Sequence, residues 1–146
     1  MSQYYDIGEE TLWNPANGAS RMFRHQVAVF EAELGITSGV APMENDECQI
    51  DPVALGVFVN ALLAEHRRTT HAVRLALSEG FVAVMLVLAE RAGVTVDWSS
   101  HERAPGGPLH DVQVLAGTGM AAPAEGGAWS AGLRERARDL GRRMPR

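Results

Sequence analysis

Lysine is absent from this chain of 146 residues, and all thirteen basic side chains are arginine. Lysine Schiff-base chemistry and the usual phosphate-binding loop both need a lysine amine, so neither is open to it. Cysteine occurs once, as Cys48, which excludes an internal disulfide. The opening residues Met1-Ser2-Gln3-Tyr4-Tyr5-Asp6 have neither the basic region nor the apolar core of a secretory signal, and the expected location is the cytoplasm. A Gly-x-Ser-x-Gly elbow, a dinucleotide glycine fingerprint, a Cys-x-x-Cys pair and a His-x-Glu deaminase signature are all missing. No motif implies a cofactor.

Positive charge is scarce in the first third. Residues 1–51 carry nine carboxylates against Arg21 and Arg24, a balance of −7, whereas 52–98 are neutral and 99–146 reach +2. Phosphate binding needs clustered cations, so no nucleic-acid footprint is expected on residues 1–98.

Long apolar runs are also rare, and the one that exists organises the rest. Phe81–Ala89 are nine apolar residues in a row after Gly80. A run without a polar face fits a buried helix or a buried strand equally. Its flanks decide for a helix over residues 71–92: Thr70 is a candidate N-cap, Arg91 suits the last turn, and Gly93 can take the left-handed position beyond it. Nine residues fall short of the roughly 20 that span a bilayer, so the reading is a core helix and no transmembrane segment.

Around it, Tyr4–Ile7 and Thr11–Trp13 favour a two-stranded ribbon with a turn at Gly8-Glu9-Glu10. Asn14-Pro15 reads as N-cap and first residue of a helix whose apolar face is Ala19, Met22, Phe23, Val27, Phe30 and Leu34, ending at Gly35. Arg24 and His25 fall on its polar side. Asp51-Pro52 repeats the start signal ahead of Leu55, Phe58, Val59, Leu62 and Leu63. Cys48–Ile50 could form a short strand, and Val94–Trp98 could supply a third strand. The expectation is an α+β domain over residues 1–98, with a three-helix core and a small antiparallel sheet. Residues 99–127 have the Gly, Pro and Ala content of a flexible linker. Residues 128–146 read as a basic amphipathic helix, in which Trp129, Leu133 and Leu140 are candidates for contact with a partner.

The densest polar cluster is Glu44-Asn45-Asp46-Glu47-Cys48-Gln49-Ile50-Asp51. Neighbouring carboxylates can hold a divalent cation or divide acid and base roles, yet the offsets of a calcium loop are absent and Asp51 is already explained as a helix cap. His66 and His71 bracket the turn between the second and third helices, one residue too far apart for a zinc pair on one helix. Glu44, Asp46, Glu47, His66 and His71 are therefore the candidate binding residues, with no catalytic residue and no metal assigned.

The segments Tyr5-Asp6-Ile7-Gly8, Leu12-Trp13-Asn14-Pro15, Gly39-x-x-Pro42-Met43-Glu44 and Asp46-Glu47-Cys48-Gln49-Ile50-Asp51-Pro52, together with His71, resemble a family of small bacterial proteins classed as a domain of unknown function. The resemblance covers residues 3–98 and implies a bacterial cytoplasmic setting, but no activity.

Two functional expectations follow. One is a small acidic protein-binding module, of immunity or regulatory type, because an acidic surface steers association with basic partners without reactive groups. A second copy of the chain is another candidate partner. The alternative is a metal-dependent hydrolase built on the Glu44–Asp51 cluster. The core reading is tested at the middle of the apolar run: Leu86→Ala should cost about 2–5 kcal/mol in chemical denaturation. A loss under about 0.5 kcal/mol would put that face of the helix at the surface.

Overall fold

The computed structural model describes residues 1–98 and 126–146. The linker expected over residues 99–127 lies outside the described residues, apart from its last two. Strands β1 (Tyr4–Ile7) and β2 (Glu10–Trp13) are followed by α1 (Asn17–Leu34), β3 (Glu47–Gln49), α2 (Pro52–Arg68), α3 (Ala72–Arg91) and α4 (Gly126–Gly141). The class is α+β.

The hairpin joining β1 and β2 turns at Gly8, whose φ of 59° suits the first turn position. β1 lies in the middle, antiparallel to β2 and parallel to β3, in the order β2-β1-β3. The sheet is thus mixed where an antiparallel one was expected. Strand-forming residues do not encode direction; α1 and the loop after it carry the chain back to the free edge of β1, which fixes β3 parallel.

Val94–Trp98 form no strand, although they alternate half-buried and exposed residues. Instead the side-chain amide of Asn60 donates to Thr95 O at 3.2 Å and accepts from Asp97 N at 2.8 Å. One asparagine thus serves the two backbone groups that a neighbouring strand would have served.

Asp51 caps α2 as expected, accepting from Val53 N at 2.9 Å and Ala54 N at 3.2 Å, with Pro52 in the first turn. Asn14-Pro15 does not start α1. That helix begins at Asn17 after an extended Ala16 without a side-chain cap. Residues 14–16 are held extended by other partners: Asn14 N donates to Pro145 O, Gln3 N donates to Pro15 O, and Ala16 bridges to Ser2. The cap of α3 is His71, one residue after the expected Thr70; its Nδ1 accepts from Arg74 N at 3.4 Å. At Gly39 (φ 81°) a β-carbon would stand 2.6 Å from Asp51 O, so only glycine lets this loop pass the start of α2.

α3 runs unbroken through Gly80, and eight of the nine residues Phe81–Ala89 are buried. By length and composition α3 could cross a membrane, yet here its apolar half is enclosed within the fold. Aromatic rings cover one side of it. Phe81 stacks on Phe30 at 4.5 Å and meets Phe23 and Phe58 edge-on or tilted, and Phe23 in turn touches Tyr5 and Trp13 above the sheet. α4 lies along another side, with Leu133, Ala137 and Met144 buried in the same core.

Arg91 ties these parts together. Its guanidinium donates to Leu12 O at 2.6 Å, Gly141 O at 2.9 Å and Met144 O at 2.8 Å. The charge thus meets carbonyls at the end of α4, where cations are favoured, and one from β2. Arg91→Ala should lower stability by about 2–3 kcal/mol, the scale of charged hydrogen bonds left unmade. Arg91→Lys should recover less than half of it, since one ammonium cannot span three separated carbonyls. Urea denaturation of the three proteins measures both effects.

Candidate functional site

The acidic cluster turns out to be a turn. Glu44 and Glu47 exchange two backbone hydrogen bonds of 2.9 Å around Asn45 (φ 51°) and Asp46 (φ 66°), which makes a two-residue hairpin loop of left-handed residues. Asn and Asp tolerate that conformation better than other non-glycine residues. Asp46 also takes Tyr4 N on its carbonyl at 2.8 Å and Gln3 Nε2 on its carboxylate at 3.0 Å, which fastens the turn to the start of β1. Glu44 and Glu47 point into solvent. Cys48, next along, is fully buried, and its thiol lies 3.1 Å from Ala41 O. Burial pushes the thiol up to about 11, with Arg24 pulling the other way, so it stays protonated and unreactive. Arg24 is half-buried, whereas His25 is exposed as expected.

The two candidate histidines separate in role. His71 is occupied as the cap of α3. His66 is only 8% exposed and sits with its Nδ1 3.0 Å from Ser78 Oγ. Ser78 Oγ also lies 2.8 Å from Arg74 O, one turn back in α3. A hydroxyl has one proton, and the backbone carbonyl can only accept, so Ser78 donates there and accepts from His66 Nδ1–H. Burial lowers the His66 pKa, with Glu79 partly opposing, which favours this neutral ring. Among the described residues no three His, Cys, Asp or Glu side chains come together as a metal site.

His66 and Ser78 line a hollow of about 290 Å³ between the ends of α1, α2 and α3. Val29, Phe30, Leu34, Leu62 and Leu77 make its apolar walls, and Glu33, Glu65 and Arg74 stand at its rim. Arg74 reaches Glu33 at 3.6 Å and Glu65 at 3.9 Å. Beside it lie large apolar side chains that water still reaches: Leu77 is 71% exposed, Met22 67% and Val29 56%. Met22 and Ala19 belong to the apolar stripe read from the sequence, yet both face outward; buried Ser20 takes an inward place, bonded to the Tyr5 hydroxyl at 2.7 Å. A second spacing on α1 carried this signal, since Gly18, Met22, His25, Val29 and Ala32 recur at intervals of four and three and are all exposed.

The expected contact residues of α4 face their own chain. Leu133 is buried against the core and Leu140 packs on its margin. Trp129 meets Trp98 and His66, with the Arg67 guanidinium 5.3 Å from its ring.

This is a small α+β protein with one apolar hollow shared by three helix ends and an acidic segment folded as a structural turn. The chain belongs to a family of unknown function, DUF6086, whose model matches residues 1–146, so the likeness noted over 3–98 extends through α4. No curated protein and no solved structure matches it.

The buried histidine gives a pH test. Its folded pKa lies below the usual 6.5, so the unfolded chain binds the proton more readily. Its contribution to stability is therefore complete above about pH 6.5 and declines as pH falls. His66→Gln should flatten the loss of stability between pH 7.5 and 5.5, read from denaturation midpoints. An unchanged pH slope would place the titration elsewhere.

Proposed function

We propose that the protein is a small acidic protein-binding module of immunity or regulatory type, acting in the cytoplasm, with the face formed by α1 and the first turns of α3 as its docking surface. The observation that carries this reading is the gathering of exposed apolar side chains. Val29 and Leu77 flank the same hollow, Met22 and Val29 border the neighbouring one, and Val73 stands one turn before Leu77. Scattered apolar residues on a surface need no explanation, but a contiguous patch beside a hollow is the mark of an interaction site. The excess of carboxylates in residues 1–51 suits a partner whose own apolar patch lies among basic residues, because the field of the whole chain then speeds encounter. No reactive side chain is required.

The test is affinity purification of the intact chain from its native lysate beside two variants. Leu77→Glu puts a charge on the proposed face, and Val53→Glu puts one on another exposed site at the start of α2. Basic co-purifying proteins should be retained by Val53→Glu and lost by Leu77→Glu. Identical recovery with both variants would remove the α1–α3 face from any binding role.

A further inference from the structure

The hollow has a size, a charge and a polar contact that together narrow what can fill it. An apolar cavity of about 150 Å³ admits benzene. The hollow here measures about 290 Å³, so one ring leaves it half empty and a fused two-ring system fits. Phe30, stacked on Phe81 with ring planes 3° apart, gives it a flat aromatic wall held from behind. At the rim Glu33 and Glu65 face Arg74, and Arg68 lies 4.0 Å from the second oxygen of Glu65. Two carboxylates against two guanidinium groups leave no net charge to recruit an ion, which favours a neutral occupant.

One nitrogen of the lining has no protein partner among the described residues. His66 lines the hollow and donates through Nδ1 to Ser78, so Nε2 is the acceptor of the neutral ring; it has no hydrogen-bond partner among the described residues. An apolar occupant without a donor leaves that acceptor unsatisfied in a largely apolar setting, whereas one with a single N–H or O–H completes it. We infer that the hollow binds a neutral fused aromatic ring of the indole class, its N–H donating to His66 Nε2. Such a ring can arrive as a free molecule or as a tryptophan side chain of a protein. Only the second source rests on the proposed function, where an aromatic anchor in a pocket is the usual centre of an interface.

The experiment titrates the full chain with indole and with benzofuran, which has the same shape but carries oxygen in place of the N–H. Methyl shifts of Val29, Leu62 and Leu77 report on the hollow. Saturable shifts are expected for both, with indole about 3–10-fold tighter, the ratio one hydrogen bond supplies. In His66→Phe that ratio should fall to about one. Should this variant fail to fold, Leu77→Glu at the exposed mouth should weaken both ligands at least about fivefold. The inference is overturned if no methyl of the hollow shifts saturably, or if benzofuran binds the unmodified protein as tightly as indole. Acetyl-tryptophanamide binding as tightly as indole would support a protein side chain as the source, and indole binding alone would support a free molecule. Loss of co-purifying proteins in Leu77→Glu without indole binding sinks this inference and leaves the docking surface standing. Indole binding with no such loss does the reverse.

Discussion

Nine consecutive apolar residues on one helix have to be covered from every direction, and the architecture follows from that demand. An amphipathic helix needs one neighbour; the second half of α3 needs several. α2 and α4 flank it, and the rings of Phe23, Phe30 and Phe58 gather about Phe81 at its start. The three-stranded sheet, too short to stand alone, rests on this aromatic cluster through Tyr5 and Trp13. Each wrapping element is itself marginal. What each gains is the burial of its own apolar stripe against a surface that offers no polar competition, about 25 cal/mol for each Å² removed from water.

Wrapping has to end somewhere, and the two ends of α3 differ. At the C-terminal end Arg91 meets carbonyls from β2, from the last residue of α4 and from Met144 just beyond it, so the close of one helix carries the charge that suits the close of another. At the N-terminal end the covering stops short. Val73 and Leu77 stay exposed, and the space between α1, α2 and α3 is left as a hollow. His66 and Ser78 satisfy one another within it. The same incompleteness leaves, among the described residues, a patch of exposed apolar side chains beside a hollow that His66 lines.

The acidic segment carries a lesson about reading polar clusters. Six carboxylates or carboxamides in a short stretch suggested ligands, but Asn45 and Asp46 are there because left-handed backbone is tolerable for them, and Asp51 because a helix start needs an acceptor. The local demand of the chain occupies these three and leaves Glu44 and Glu47 in solvent. Asn60 makes the same point from the other side: nothing in its position within an amphipathic helix announced that its amide would stand in for a strand edge beside Thr95 and Asp97.

By itself the sequence determined the core helix, the second helix with its Asp51-Pro52 start, the glycine stop at Gly35, the first hairpin and the α+β class. Each of these depends on residues within a few positions of one another, where steric limits and capping act directly. Tertiary structure decided the rest. Asn14-Pro15 has the same start signal as Asp51-Pro52, yet contacts with Gln3 and Pro145 hold it extended. Met22 fits one helical stripe and the exposed one equally well, and only the position of the sheet against Ser20 turns it outward. The parallel setting of β3, the seat of Leu133 and the pairing of His66 with Ser78 join residues distant in the chain. Such contacts depend on how whole elements pack, because the energy that selects them comes from surfaces buried together and no local stretch contains both surfaces.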